Sequence, residues 1–247
     1  MRRIHVITQK ELVDTEKIKD STAVVIDVLL ATSTIAFALN KGIKTVTTVK
    51  SPDEGFFILK QNPEKSLLMG ESKGNYIEGM EYPDPLLFDD EEHARKDSLI
   101  LLTTNGTVGI ENASSAKNLY TSSLLNGHVI AKELHEETGD SSIAIVCAGN
   151  HGRFSMEDFI GAGQLIHHLL SIGDAYSYSL ADSSIAALEC YKAAKADQFS
   201  LLHSLETSQL LHTLGFHHAI NLIVDHIEEV DIISKMENGK IINISRK

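Results

Sequence analysis

The sequence has few residues of several kinds, and each scarcity excludes a class of protein. It contains two cysteines, Cys147 and Cys190, among 247 residues. Two cysteines are too few for a disulfide framework, which excludes the small disulfide-stapled secreted folds. The chain has four prolines and no Pro- or Ser-rich tract that would mark a linker. Because 43% of the residues are apolar and 23% are charged, the composition is that of a globular protein and not of a disordered one.

Basic residues are scarce relative to acidic ones. There are 22 Lys and Arg against 34 Asp and Glu, which gives a formal net charge of −12. Nucleic-acid binding depends on a basic face, so we expect no nucleic-acid partner. An anionic substrate would have to be held by a local feature, such as a helix N-terminus or a bound cation.

Long apolar runs are also missing. No run approaches the roughly 20 residues that a membrane helix requires, and residues 1–6 lack the apolar segment of a signal peptide. We therefore expect a cytoplasmic protein with no membrane partner. The composition leaves a homo-oligomer open.

Strand and helix signals alternate along most of the chain. Short β-branched or apolar runs predict strands at 23–28, 45–49, 66–70, 99–103, 119–121 and 143–147. Helix signals lie between them, at 32–40, after Pro52, after 105–107, at 125–137 and after Ser155, with the hydroxyls of 32–34 as expected N-caps. This alternation predicts a three-layer α/β/α fold with a largely parallel central sheet.

The C-terminal region has a different pattern. After about Asp182 it is mainly helical to about residue 227, and apolar pairs around Asn238-Gly239 then predict a hairpin. We expect one α/β domain over 1–247, with a helix-rich subdomain from about 182 as an alternative that no linker marks. Residues 71–90 show no period, and connections of that length are usually functional or mobile.

Polar residues gather in four loops that follow predicted strands, at 27–34, 70–74, 103–107 and 147–158. Ligands of such sheets bind beyond the carboxyl ends of the strands. Acidic side chains there offer the oxygen ligands that Mg²⁺ prefers, and the Asn-Gly turn of 103–107 can form an anion-binding nest. Taken singly, each loop is explained as well by helix caps, turns and solvated charges.

The fourth loop contains a second motif. Cys147 and Arg153 have the Cys-x5-Arg spacing with which cysteine phosphatases attack phosphorus and clamp its oxygens. The pattern is short enough to occur by chance, and a cysteine that ends a buried strand commonly acts as a small hydrophobe. This hypothesis therefore ranks below the metal site.

Taken in order, these segments resemble the 2-phosphosulfolactate phosphatase family from about Val24 to Leu170. The matching segments are 25–35, Gly70-Glu71, 102–107, 123–126, 146–149, 154–158 and Ala162-Gly163. Each segment is short, but their order and spacing are specific together. The resemblance implies hydrolysis of the phosphate ester of a small sulfonated hydroxy acid, with Mg²⁺ as cofactor, as part of coenzyme M biosynthesis.

The resemblance also implies roles for individual residues. The metal ligands would be Asp27, Glu71, Glu157 and Asp158. Asp27, Glu71 and Glu157 would also be catalytic, with Cys147 as an alternative nucleophile. Contacts to the phosphate or substrate would come from Ser33, Thr34, Asn105, Gly106 and Thr107, and from Arg153 as a clamp in the cysteine alternative.

Two departures from the family lie on the substrate side. The family usually has Arg where this chain has Leu30, and Leu cannot replace a guanidinium that binds phosphate or sulfonate. Residues 79–85 also lack the family's Gly-Asn-Ser-Pro stretch. Three hypotheses follow: a Mg²⁺-dependent phosphatase of a small phosphorylated acid, a relative that binds a ligand without turnover, and a Cys147-dependent phosphatase.

Overall fold

The computed structural model describes residues 1–137, 139, 141–174 and 176–245, so residue 247, the predicted domain end, lies outside them. The strands are β1 Arg2–Ile7, β2 Thr22–Ile26, β3 Thr45–Thr48, β4 Ser66–Ser72, β5 Asn75–Tyr76, β6 Ser98–Leu102, β7 Asn118–Ser122, β8 Ile143–Cys147, β9 Tyr178–Leu180, β10 Ser234–Glu237 and β11 Lys240–Asn243. The helices are α1 Ala31–Asn40, α2 Pro52–Leu59, α3 Glu91–Ala94, α4 Gly106–Asn112, α5 Gly127–Glu136, α6 Met156–Ile172, α7 Asp182–Ala196, α8 Glu206–Thr213 and α9 His217–Asp225.

The described strands form one mixed sheet in the order β5-β4-β6-β3-β11-β10-β7-β2-β8-β1-β9. It has two parallel sections, β4-β6-β3 and β7-β2-β8-β1-β9. The antiparallel hairpin β10–β11 joins them, because β10 pairs with β7 and β11 pairs with β3. The predicted α/β class with a mostly parallel sheet is confirmed.

Burial explains why the central strands are so apolar. Every residue of β2 and of β8 is buried, as expected of parallel strands covered on both faces. One continuous apolar core runs from Ile4 in β1 to Ile241 in β11, and it includes Tyr191 of α7 and Ile220 of α9. The helix-rich C-terminal region thus packs on the same core as the sheet. Within the described residues, no helix is both long and apolar enough to cross a membrane.

Three sequence-based assignments need correction. The hydroxyls of 32–34 do not cap α1, since Leu30 is at its N-cap and makes no side-chain cap bond. The sequence does not predict strands β1, β5 and β9, and β5 lies in the segment 71–90 that shows no period. The predicted C-terminal hairpin exists, but its first strand begins at Ser234, directly after the first apolar pair, and the hairpin lies inside the sheet.

Candidate active site

A narrow cleft at the carboxyl edge of the sheet collects residues from both parallel sections. Strands β4 and β2 are six places apart in the strand order, which would be about 29 Å in a flat sheet. Glu71 at the end of β4 and Asp27 after β2 nevertheless line the same cleft, so the sheet is strongly curved. The cleft encloses about 50 Å³ and is lined by Asp27, Leu29, Leu30, Ala31, Glu71, Gly74, Tyr82, Pro83, Thr103, Asn105, Asn150, His151, Thr207, Leu210 and Leu211.

Asp27 is held in place by its neighbours along the chain. The Thr32 hydroxyl accepts a hydrogen bond from the Asp27 N–H (3.0 Å) and donates one to the Asp27 carbonyl (2.8 Å). Helix α4 begins against the Asp27 carboxylate, because Gly106 has no side chain. A Cβ atom at Gly106 would lie 2.6 Å from Asp27 Oδ2 and would collide with Ala31.

The environment of Asp27 disfavours a negative charge. Burial is the largest cause, the charges of Glu71 and Glu157 follow, and together they raise the pKa of Asp27 to about 7. The nearby Lys10 ammonium offsets only part of this increase in pKa. Asp27 therefore changes its protonation state near neutral pH when no cation is bound to it.

Glu71 organises the loops around the cleft. Its carboxylate accepts hydrogen bonds from the Thr104 N–H (2.6 Å), the Thr104 hydroxyl (3.0 Å) and the Gly74 N–H (2.6 Å). The anion-binding nest predicted at 103–107 is thus partly filled by a carboxylate of the protein itself. These bonds fix Glu71 beside Asp27.

Asp158 joins the two loops that follow β2 and β8. Its Oδ1 accepts the Val28 N–H (2.9 Å) and its Oδ2 accepts the Gly149 N–H (3.0 Å). Ser155 caps α6 by accepting the Asp158 N–H (3.3 Å), as the sequence predicted. Burial, and then the charges of Asp27 and Glu157, raise the pKa of Asp158 well above its usual range.

The four predicted acids differ in how they face the cleft. Asp27 and Glu71 line it, whereas Glu157 and Asp158 are buried and do not. The charge of Glu157 raises the pKa of Asp27, and the charge of Asp27 raises the pKa of Asp158. Within the described residues, no three His, Cys, Asp or Glu side chains are grouped so that they could hold a metal ion. A pair of carboxylates still fits Mg²⁺, which usually binds one or two carboxylates and completes its coordination with water and substrate phosphate.

The hydroxyls expected to contact the substrate bond to the protein instead. Ser33 donates to the Val28 carbonyl and Thr34 donates to the Pro83 carbonyl, each at 2.8 Å. The Thr107 hydroxyl donates to the Thr103 carbonyl at 2.6 Å. All three donors are buried, and none lines the cleft. Their hydrogen bonds fix the loops that carry the acids.

Lys10 is a site residue that sequence analysis missed. Its side chain is buried, and its Nζ donates to Asn105 Oδ1 (2.9 Å) and to the Ala148 carbonyl (3.1 Å). The His151 N–H also donates to Asn105 Oδ1, at 3.2 Å. The Asn105 oxygen is thus occupied, and its Nδ2 group is the part available to a ligand in the cleft. No motif surrounds Lys10, so the sequence held no signal for it.

Cys147 and Arg153 are not brought together around the cleft. Cys147 is fully buried, and burial, followed by the charges of Asp158 and Glu157, raises the pKa of its thiol. The Arg153 side chain is 62% exposed and pairs with Glu206 at 3.2 Å. Neither residue lines the cleft that holds Asp27 and Glu71.

A larger cavity of about 450 Å³ lies on the other side of Glu71. Its walls are mainly apolar and include Val49, Ile77 and Leu102, with Lys50 and Lys73 among the polar residues. Asp27 and Asn105 do not line it. The smaller cleft is therefore the candidate active site, because it combines the buried acid Asp27 and the half-buried acid Glu71 with a free amide.

The fold and the cleft define an α/β protein with an acidic cleft at the carboxyl edge of its sheet. A family model described as 2-phosphosulpholactate phosphatase matches residues 7–239. A probable 2-phosphosulfolactate phosphatase of Clostridium novyi is 34% identical over 239 residues, covering 97% of this chain and 99% of the relative. Proteins of the same name from Clostridium perfringens, 31% identical over 242 residues (97% and 95% covered), and Symbiobacterium thermophilum, 35% over 201 residues (81% and 84%), are also similar. The chain belongs to the 2-phosphosulfolactate phosphatase family, which confirms the resemblance.

Proposed function

We propose that this protein is a Mg²⁺-dependent phosphatase that hydrolyses the phosphate monoester of a small hydroxy acid, either 2-phosphosulfolactate or a related compound. Family membership supports the reaction class, since the similar proteins are named for it. A cytoplasmic location is part of the proposal, and with 2-phosphosulfolactate as substrate the reaction would belong to coenzyme M biosynthesis.

The proposed metal dependence rests on the pair of acids, Asp27 and Glu71, at the cleft. Asp27 is buried beside Glu71 at the cleft, and their repulsion contributes to the raised pKa of Asp27. Lys10, the nearby cation, is already bonded to Asn105 and to a backbone carbonyl. A divalent cation held by Asp27 and Glu71 would offset this repulsion and that between the acids and an anionic substrate. Bound Mg²⁺ would polarise the phosphoryl oxygens.

The residues of the chain supply the remaining steps. The Nδ2 group of Asn105 would donate to a phosphoryl oxygen. A water molecule attacks phosphorus, and the Asp27 carboxylate beside it accepts the proton of that water. The ester P–O bond breaks, and the leaving oxygen takes up a proton, which His151 at the rim of the cleft would supply. The products are the hydroxy acid and inorganic phosphate.

The cysteine mechanism is less well supported. A nucleophilic thiolate is favoured by exposure and a lowered pKa, and Cys147 has neither. Cys147→Ser should therefore retain turnover. Its complete loss in a folded Cys147→Ser protein would favour the cysteine mechanism instead.

Phosphate release from a panel of small phosphorylated acids, measured with Mg²⁺ and again with EDTA, tests the proposal. We expect release with Mg²⁺ and none with EDTA. Asp27→Asn and Glu157→Gln should each reduce kcat by about 100-fold or more, whereas Glu64→Gln, at an exposed position, should not. Full activity in EDTA would refute the metal dependence. No release from any compound would favour a binding protein that has lost turnover.

A further inference from the structure

Two kinds of residue line the candidate active site. Asp27, Glu71 and Asn105 supply polar groups to it. Four leucines, Leu29, Leu30, Leu210 and Leu211, also line it. A phosphate held by the polar groups would bring the rest of the substrate into contact with these leucines.

The four leucines differ in exposure, and one of them packs beside the turn that follows Glu71. Leu211 and Leu30 are largely buried, whereas Leu210 is 38% exposed and lies at the rim. Leu210 packs against the turn after β4, where a Cβ atom at Gly74 would come within 2.9 Å of Leu210 Cδ2. Helix α8 therefore places its leucines directly over the hairpin that Glu71 stabilises.

The cleft has little positive charge to receive a second strong anion. In the part of the chain that the structure describes, no Lys or Arg lines it. Lys10 lies behind Asn105 and is paired with Glu11 (2.9 Å), and Arg153 is paired with Glu206 outside the cleft. The Asn150 amide, which has no role in the proposed reaction, can donate to one carboxylate.

A sulfonate and an alkyl group would therefore bind very differently beside these leucines. A sulfonate stays ionised, and placing it against leucines removes its water without supplying a partner. Asp27 and Glu71 would also repel it. An alkyl group of similar size would instead gain from burial against the same leucines.

We propose that the preferred substrate is the phosphate ester of a hydroxy carboxylic acid whose remaining substituent is apolar, and that Leu30 and Leu210 determine this preference. The inference rests on the proposed phosphatase function and narrows its substrate class. The reaction is unchanged: water forms a bond to phosphorus, the ester P–O bond breaks, and the hydroxy acid leaves with a proton on its oxygen.

Two compounds that differ by a single group provide the test. Replacing the sulfonate of 2-phosphosulfolactate by hydrogen gives 2-phospholactate. With Mg²⁺ present, kcat/KM for 2-phospholactate should exceed that for 2-phosphosulfolactate by about tenfold or more. The phosphate ester of 2-hydroxy-4-methylpentanoate should be hydrolysed at least as well as 2-phospholactate.

Arginine substitutions test the two leucines. Leu30→Arg and Leu210→Arg should each shift the ratio of the two kcat/KM values toward 2-phosphosulfolactate by about tenfold, because a guanidinium pairs with a sulfonate. Leu30 is buried, so the partly exposed Leu210 provides the variant more certain to fold. Leu201→Arg is the matched control, since Leu201 is 40% exposed and does not line the cleft, and it should leave the ratio unchanged.

The outcomes separate this inference from the function on which it rests. Faster hydrolysis of 2-phosphosulfolactate by the unmodified protein would overturn the inference and leave the phosphatase function intact. An unchanged ratio in folded Leu210→Arg would overturn the role of that leucine. No Mg²⁺-dependent release from any of the three esters would overturn the proposed function, and the inference with it.

Discussion

At the scale of single residues, Gly106 limits how closely α4 can approach the Asp27 carboxylate. Gly106→Ala places a methyl group against Asp27 Oδ2 and Ala31, so one of them must move. Displacing a reacting group by about 1 Å can cost about 100-fold in rate, and we expect a loss of that order in kcat. Gly109→Ala in the same helix has its nearest contact with the Val25 side chain at 3.2 Å and meets Ala148 only at 3.8 Å, so it should cost much less. Equal kcat values for the two variants would contradict this account.

The raised pKa of Asp27 predicts an unusual dependence of stability on pH. Unfolding restores an ordinary pKa near 3.8, so between pH 3.8 and 7 the folded protein binds the extra proton. The contribution of Asp27 is therefore present at lower pH and is lost as pH rises through 7. Between pH 5.5 and 8.0 in EDTA, this residue should lower the free energy of unfolding by about 2 kcal/mol.

Urea unfolding of the unmodified protein and of Asp27→Asn at both pH values measures this contribution. Between these two pH values, the free energy of unfolding of Asp27→Asn should not decrease by the amount assigned to Asp27. Adding Mg²⁺ at pH 8.0 should stabilise the unmodified protein more than the variant, because a bound cation compensates the carboxylate charge. The same pH dependence in both proteins would contradict the assignment.

The sequence located the acidic residues of the cleft better than its hydrogen-bonding residues. An acid directly after a buried strand must lie at the carboxyl edge of a parallel sheet, so the positions of Asp27 and Glu71 could be anticipated. The direction of a hydroxyl cannot be anticipated in this way. Ser33 and Thr34 could have faced a ligand, but they bond to carbonyls that only the folded chain brings near.

At the scale of elements, helix α8 covers the cleft, and the chain from α8 to α9 packs on the loop after β5. The rings of Tyr82 and Phe216 stack with centroids 4.1 Å apart, and His218 Nε2 lies 2.6 Å from Asp84 Oδ2. Leu210 and Leu211 of α8 reach the cleft from this position. The segment 71–90, which shows no hydrophobic period, therefore provides the surface on which the covering helix packs.

Removing the Phe216 ring should make both segments that meet at the stack open more often, because each packs on the other. Phe216→Ala should increase amide hydrogen exchange in 206–225 and in 76–84, because each segment loses the other's packing. Phe57→Ala is the control, since that ring is 66% exposed and takes no part in the stack. Faster exchange in only one of the two segments would show that they are not coupled.

Strands β1 and β9, which the sequence does not predict, lack the run of apolar residues by which a buried strand is recognised. Strand β1 begins with Arg2 and Arg3, yet Arg2 is buried and donates to the Ser141 carbonyl at 2.9 Å. Strand β9 has three residues, too few to show a period of two. Both segments form strands because of contacts with residues that are far away in the sequence. Long apolar runs such as the one in β8 need no such help, and they were predicted correctly.

At the scale of the whole molecule, hairpin β10–β11 connects the two parallel sections. Asn238 and Gly239 have the positive φ values (51° and 77°) that tight hairpin turns require, so the sequence identified the turn. It could not identify the position of the hairpin within the sheet, since strand order depends on pairings far apart in sequence. Ile241 pairs with Val46 of one section, and Lys235 pairs with Tyr120 of the other.

This connection makes the cleft depend on the hairpin, because Glu71 belongs to one section and Asp27 to the other. Ile241 is fully buried, whereas Ile242 faces the other side of the sheet and is half-buried. Ile241→Ala should lower the free energy of unfolding by about 3 kcal/mol, and Ile242→Ala by less.

Urea unfolding followed by circular dichroism and by tyrosine fluorescence should give one shared transition, since both sections pack on one core. Two separate transitions would mean that the sections fold independently, and the distance between Asp27 and Glu71 would then no longer be fixed by the hairpin.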